Sequence, residues 1–373
     1  MQVQDSVEII INADITDKSY QNYMKLYLYK YLNISSKDER IGYVMDSIFK
    51  VRYSQLSPAA IKDELMKRYD IIEPIQCEFF DSGMNDIYRI KTSMEYYYLR
   101  ISQTGMHDEK DYDEEINILL DLLDIEISVV RPVRAKDGTF LWKINAPEGV
   151  RYGVLFTEVK NKPSEDKKTR FRNLGRNIAK MHQRADENHY ICSRNPIDLT
   201  ALIREPLERI QPYLKDRETD YEFLVESSKK LGKLIEDKLK PEEPYYGFCH
   251  GDLHSGNIFF EEMIPVIFDF DCMGYGYRAY DLCVYAWNES YQNNDYMEGE
   301  EWRALLEGYD EIRLLNDQEV QSFEVFIALR QLWLMGLHAD VIQRNAGCCW
   351  YNDNYFNEQI KIYRSWYDKA IKK

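Results

Sequence analysis

Several things are scarce in this chain, and each scarcity removes a class of function. The seven cysteines, at 77, 192, 249, 272, 283, 348 and 349, are odd in number, scattered, and show no Cys-x-x-Cys spacing. Neither a disulfide framework nor a zinc site is expected from them. Positive charge is also short, with 48 Lys and Arg against 64 Asp and Glu and a net charge of −16. A field of that sign repels phosphate backbones, so nucleic acid is not an expected partner. The opening residues Met1-Gln2-Val3-Gln4-Asp5 lack the basic region and apolar stretch of a signal peptide. No run approaches the roughly 18 apolar residues of a membrane helix. A soluble cytoplasmic protein without a membrane partner is the expectation.

What is present is enough for a large core. Apolar residues make up 45% of the chain and aromatics 14%, with 30 tyrosines, so large-scale disorder is not expected. At 373 residues there is room for two lobes. The densest chemical signal lies at His250-Gly251-Asp252, Asn257 and Asp269. Phosphoryl transfer from ATP needs a carboxylate to orient the attacking hydroxyl and accept its proton, together with oxygen ligands for Mg²⁺. Asp252 suits the first task, and Asn257 and Asp269 the second. Two apolar runs, Ile258 to Phe260 and Ile264 to Phe268, flank a turn-like Glu261-Glu262 and predict a hairpin. Its two ends would then carry Asn257 and Asp269 side by side. Solvated acids on a surface hairpin are the alternative, but the apolar strands argue for burial, and buried carboxylates need partners such as a metal.

The pattern His-Gly-Asp-x-x-x-x-Asn followed by Phe268-Asp269-Phe270-Asp271 resembles the aminoglycoside phosphotransferase and choline kinase superfamily. That resemblance implies an α+β, bilobal protein-kinase-like fold with a small β-rich N-lobe and a larger, mostly helical C-lobe. It suggests residues 1–56 as an N-terminal extension of unknown role, 57–159 as the nucleotide-binding lobe, and 160–373 as the lobe with catalytic loop, metal site and acceptor pocket. By position, Asp252 would be the catalytic base and Asn257 and Asp269 the Mg²⁺ ligands. His250 becomes a loop brace, as does Asp281 within Arg278-Ala279-Tyr280-Asp281-Leu282.

The remaining elements follow from local pattern. Residues 7–12 read as a strand, and 20–32 and 41–51 as helices without evident chemistry. Ser57 followed by Pro58 signals a helix start, with the helix running to about Tyr69. A strand–turn–strand over 75–90 bends at Asp81-Ser82-Gly83-Met84-Asn85, where backbone N–H groups could meet phosphates. Ser82, Gly83 and Asn85 are the candidates; Gly83 is expected to relieve the backbone, and only one glycine stands where protein kinases have three. Tyr96 to Ser102 reads as a strand, and the family resemblance puts its Arg100 in the place of the phosphate-binding basic residue. A helix over 113–123 carries Glu115, its expected partner. Residues 150–159 read as a strand, and the resemblance implies that it forms the hinge, with Phe156, Glu158 and Val159 beside adenine. His182, in a helix over 169–185, reads as structural, and 197–239 reads as one polar helical stretch. The aromatic and acidic residues between Trp287 and Trp302 could hold an ammonium group by cation–π and charge pairing, or could simply cap the next helix. Segments 326–338 and 355–366 read as amphipathic packing helices, with Asn345-Ala346-Gly347 and Trp350 as a possible pocket border.

These features together predict an ATP- and Mg²⁺-dependent phosphotransferase acting on a small-molecule hydroxyl. The candidate acceptors are an aminoglycoside-like amino sugar or an amino alcohol such as choline or homoserine, and the acidic field favours a cationic one. A Ser/Thr protein kinase of the same superfamily, or a nucleotide-binding module without turnover, are the competing readings. Acceptor identity, ATP against GTP, and oligomeric state are not encoded in these motifs.

Overall fold

A computed structural model describes residues 50–372, apart from 294, 346 and 347. The strand expected over 7–12 and the helix over 20–32 therefore lie outside the described residues, as does the helix expected over 41–51 except for Lys50 and Val51, which are not helical. By internal contacts the chain divides into two units: the described residues up to Asp108 together with Val133–Leu155, and Glu109–Pro132 together with Phe156 onward. The segment 109–132, expected in the nucleotide-binding lobe, thus groups with the second unit.

The first unit is built on helix α1 (Pro58–Arg68) and a five-stranded sheet. The sheet runs in the order β1 (Gln76–Ser82), β2 (Asn85–Lys91), β3 (Tyr96–Ser102), β5 (Gly149–Thr157) and β4 (Leu141–Ala146). Ser57 caps α1, its Oγ accepting from the Ala60 N–H, and Pro58 takes the first turn where no N–H is needed. Alternation along β2 and β3 turns Tyr88, Ile90, Leu99 and Ile101 inward against Ile61 and Leu65 of α1 and Tyr69 just after it. A buried arginine with two acidic partners, Asp86 and Glu148, crosses this unit. Arg151 Nη2 donates to Asp86 Oδ2 at 2.7 Å, and its remaining N–H groups reach Ser102 O and Ser54 O. Satisfying the guanidinium in this way is what makes its burial tolerable.

The second unit is mostly helical. Its main elements are α2 (Glu109–Asp124), α3 (Lys167–Asn188), α4 (Glu205–Ile210), α5 (Glu218–Lys238), α6 (Arg278–Ser290), α7 (Glu300–Asp310), α8 (Asp317–Val320), α9 (Phe323–Asn345) and α10 (Asp353–Ala370). The short strand β6 (Lys162–Pro163) lies beside a hairpin of β8 (Ile258–Glu262) and β9 (Ile264–Ile267), while β7 (Tyr246–Cys249) pairs antiparallel with β10 (Gly274–Tyr277). The continuous helix expected over 197–239 is broken: Thr200–Arg204 forms a π-turn, and α4 ends before α5 begins. Pro206 and Pro212 withdraw backbone donors in that stretch, which explains the interruption.

Two glycines set how closely α3 and α7 approach. A Cβ on Gly175 would lie 1.9 Å from Leu305 O, and one on Gly308 would lie 1.9 Å from Arg172 O. The helices meet backbone to backbone, with no volume for a methyl group. Gly175→Ala is expected to destabilise the fold by about 3 kcal/mol through overpacking. A lower urea midpoint at unchanged slope is the readout.

Helix α9 is more apolar than the sequence pattern suggested. Phe323–Ile342 is long and apolar enough, by length and composition, to cross a membrane, contrary to the expectation that no such run exists. Within this unit it is a core helix: Phe326, Ile327, Ala328, Leu329, Leu332 and Met335 are all fully buried. Burial around the helix, rather than along one face, is why no amphipathic pattern governs it.

Candidate active site

The loop after β7 is held by a buried carboxylate. Asp281, in the first turn of α6, accepts the His250 N–H on Oδ2 and the Gly251 N–H on Oδ1, each at 2.7 Å. His182 Nε2 lies 3.1 Å from the same Oδ2, and His182 Nδ1 lies 2.9 Å from the Tyr309 hydroxyl. Asp281, His182, His250 and Tyr309 are all fully buried. Gly251 is required here, because its φ is +82° and a Cβ would lie 2.2 Å from Cys272 O. His182, Cys249 and Asp281 offer ligand atoms within 4.8 Å of one another, but the Asp281 oxygens already serve as backbone acceptors.

His250 then sets the loop's inner face. Its Nδ1 accepts the Asp252 N–H at 3.2 Å, and its Nε2 faces Phe268 O at 3.1 Å. Those partners assign the neutral Nε2–H tautomer, and burial holds the ring's pKa below its ordinary value despite Asp281 and Asp252. The ring therefore joins the start of the loop to the residue preceding Asp269.

Asp252 is surrounded by donors. Arg330 of α9 places Nη2 on Asp252 Oδ1, while Oδ2 lies 3.3 Å from Asn257 Nδ2 and 3.6 Å from His254 Nε2. Burial pushes the carboxyl's pKa up, but the positive charge of Arg330, helped by hydrogen bonding from His254, outweighs it and holds the group well below the carboxylate range. Asp252 is ionised and ready to accept a hydrogen bond.

The hairpin brings the two oxygen-ligand candidates to one end. Ile258 pairs with Ile267, and the Phe268 N–H donates to Asn257 O at 3.1 Å. The strand extends through Glu262, whose φ is 57°, so the turn falls one residue later than Glu261-Glu262 implied. Asn257 commits its amide nitrogen to Asp252 O at 3.0 Å, which leaves Oδ1 as its ligand atom. Asp269 adopts a left-handed backbone, φ 62° and ψ 68°, where the chain turns out of the hairpin. An amide oxygen and a carboxylate carried at one end of a hairpin are hard donors, the set that suits Mg²⁺.

A second arginine ties this loop to α2. Arg194 Nη1 donates to Phe270 O at 2.5 Å and Asp271 O at 2.8 Å, and its Nη2 reaches Glu115 Oε2 at 2.8 Å. Glu115 is buried, as its helix facing implied, and Arg194 is a partner that the sequence pattern did not supply. No motif marks Arg194 or Arg330. For Arg330 a signal exists nonetheless: it is a charged residue inside the apolar run from Phe323 to Leu337.

The other candidates are divided between the units. In the first, Gly83 N–H donates to Asn85 O at 3.0 Å, Gln103 Nε2 donates to Gly83 O at 3.1 Å, and Ser82 Oγ donates to Asp86 Oδ1 at 3.0 Å. Gly83 does not relieve strained backbone, since its φ is outside the left-handed region and a Cβ there would meet nothing within 4 Å. Its contribution is open space above the turn. Arg100 lies opposite Ile87 in the middle of the sheet and is buried. In the second unit, Phe156 is buried opposite Pro132, with Glu158 and Val159 half-buried after it.

Of the aromatic segment expected to hold an ammonium group, most is core. Tyr296 and Trp302 are buried, and Trp302 stacks edge-on against Phe323 at 5.5 Å. Trp350 packs on His338, Tyr351 and Tyr355.

His182 gives the brace a pH signature. Burial lowers its pKa from 6.5 to about 4, with Asp281 opposing the shift. Above pH 6.5 both folded and unfolded chains carry it neutral, and its stabilising contribution is complete. As pH falls from 6.5 towards 4 the unfolded chain takes up a proton that the folded chain refuses. Stability should therefore drop by about 3 kcal/mol across that window. His182→Gln should flatten the pH dependence of unfolding free energy by that amount, measured by denaturant titration at several pH values.

Comparison with known proteins agrees with this geometry. A family model described as the phosphotransferase enzyme family matches residues 76–315. An uncharacterized protein of Synechocystis sp. is 32% identical over 304 residues, covering 80% of this chain and 83% of the relative. Among solved structures, an amicoumacin kinase in complex with AMP-PNP, Ca²⁺ and Ami superposes with a TM-score of 0.67 at 20% identity, over 85% of this chain and 94% of that one. A microcompartment-associated aminopropanol kinase gives 0.67 at 18% identity, over 84% and 96%. The two solved structures share this chain's kinase-like α+β fold, and the chain belongs to the phosphotransferase enzyme family.

Proposed function

We propose that this phosphotransferase moves the γ-phosphoryl group of ATP, as its Mg²⁺ complex, to a hydroxyl group of a small molecule. The observation that carries the reading is the ionised Asp252 fixed beside Asn257, at the end of the hairpin that also bears Asp269. Asp252 would orient the acceptor hydroxyl and take up its proton late, as the hydroxyl oxygen bonds to phosphorus and the bond from phosphorus to the ADP oxygen breaks. Asn257 Oδ1 and the Asp269 carboxylate would hold Mg²⁺, which when bound neutralises charge on the phosphate oxygens. Ser82, Gly83, Asn85 and Arg100 would meet the phosphates, Glu115 would act through Arg194 on the loop at Phe270 and Asp271, and the backbone at Phe156, Glu158 and Val159 would meet adenine.

The named neighbours, an amicoumacin kinase and an aminopropanol kinase, support a small-molecule acceptor over a protein one. The cytoplasm, where ATP is abundant, is the compartment in which we place the reaction. Calorimetric titration of the full chain with ATP, with Mg²⁺ and then with EDTA, tests the nucleotide half of this proposal. Mg²⁺-dependent binding that weakens in Asp269→Ala is the expected result. Absence of ATP binding under both conditions would overturn it.

A further inference from the structure

The aromatic box next to the catalytic loop already contains a cation. The Arg330 guanidinium lies 4.1 Å from the Trp333 ring and 4.9 Å from the Trp287 ring. It is 3% exposed, and it bonds to Asp252 Oδ1. Trp287 cannot easily turn away. Its Nε1 donates to Gln331 Oε1 at 2.8 Å, the Tyr291 hydroxyl donates to the same oxygen at 2.6 Å, and Gln331 Nε2 donates to Gln359. Cation–π faces and a nearby carboxylate are what an acceptor's ammonium group would seek. Here the chain's own arginine holds them, and arginine does not lose its charge.

The guanidinium also has donor capacity left over. Its Nη1 makes only a long contact with the Tyr280 hydroxyl, 3.4 Å, and its buried Nε has no hydrogen-bond partner among the described residues. An unmet N–H on a buried cation calls for an oxygen acceptor, best of all an anionic one.

A cavity of about 490 Å³ opens beside Trp287, walled also by Tyr291 and Trp366; it touches the Arg330 box through the Trp287 ring alone, and neither Arg330 nor Asp252 lines it. Its charged lining is one carboxylate, Glu358, against two ammonium groups, Lys361 and Lys369. Lys369 stands 4.3 Å over the Trp366 ring, so this second aromatic face is also served from within. In a chain of net charge −16, a cavity with a basic majority is a local exception.

We propose that the acceptor is a hydroxy acid: it presents a carboxylate to Arg330 near its reacting hydroxyl, and amino alcohols are disfavoured at this position. The inference rests on Asp252 as the base of the transfer reaction and names the acceptor class for that same site. It reverses the preference for a cationic acceptor that overall charge suggested, because Arg330 stands in direct contact with the base Asp252 whereas the field of the whole chain is distant and screened.

The test uses the full chain saturated with Mg²⁺ and AMP-PNP, titrated calorimetrically with glycolate, 3-hydroxypropionate and glycerate, and separately with ethanolamine, 3-aminopropanol and choline. The best acid should bind at least about tenfold more tightly than the best amine, and Arg330→Met should erase or reverse that ratio. Arg330→Lys, which keeps the charge without the planar fork, should fall between. If both variants fail to fold, the wild-type ranking alone decides. An amine that binds as tightly as any acid, no measurable binding of either series, or a ratio unchanged in folded Arg330→Met would overturn the proposal. Since AMP-PNP binding is read first, loss of that signal refutes the nucleotide-dependent reading, whereas its presence with a wrong ranking refutes only the acceptor class.

Discussion

Exchanging Asp252 for asparagine should lower the rate of phosphoryl transfer by about 10²- to 10⁴-fold while leaving Mg·ATP affinity nearly unchanged. The expectation follows from where the carboxylate is held. Its Oδ1 contacts Arg330 and its Oδ2 lies near Asn257 and His254. An asparagine keeps the shape and can keep an oxygen on Arg330. What it loses is the negative charge and the basic oxygen that would receive the hydroxyl proton. Saturation kinetics should show kcat falling with little change in KM for ATP, the pattern of an interaction made chiefly in the transition state. Turnover at the wild-type rate would remove Asp252 from the base role.

The second large effect concerns stability. Asp281→Ala should destabilise the protein by about 4 kcal/mol, since two fully buried N–H groups lose their acceptor at roughly 1–3 kcal/mol each. His182 loses its carboxylate partner in the same step. Asp281→Asn retains one acceptor oxygen and should fall between wild type and the alanine variant. Denaturant unfolding measures both, and a loss below about 1 kcal/mol for the alanine variant would contradict the brace. The effect reaches function through geometry, because the N–H groups at 250 and 251 set the path of the chain into Asp252.

The hairpin from Ile258 to Ile267 was legible in sequence because two short apolar runs separated by acids at the turn leave few other solutions. Helix α1 was legible from its cap, Ser57 with Pro58. The places where pattern failed share a physical cause. Helix α9 is buried around its circumference, so periodicity gives no facing, and Arg330 within it looks like an ordinary interruption until its two tryptophans are placed around it. Arg194 and Glu115 are 79 residues apart, and only tertiary structure brings them together. The one-residue shift of the turn to Glu262 is a boundary effect that local composition does not fix. For Gly83 the role changed: open space above the turn, rather than relief of a strained backbone, is what glycine provides there.

The aromatic segment near Trp287 is the clearest lesson about the site. Counting rings and acids along the chain suggests a cage for a cation, yet Tyr296 and Trp302 are core residues and the ring at 287 faces an internal guanidinium. Composition can say that a cage is affordable; only packing says what fills it.

The central claim is transfer of phosphate to a small molecule by the loop that bears Asp252. Its most direct measurement follows the label of γ-³²P ATP in a reaction containing the full chain, Mg²⁺ and the acceptors above, separated by ultrafiltration and chromatography. Label in a phosphorylated small molecule, dependent on Mg²⁺ and lost in Asp252→Asn, is the predicted result. Label confined to protein or released only as inorganic phosphate, or small-molecule labelling that persists in Asp252→Asn, would contradict the account.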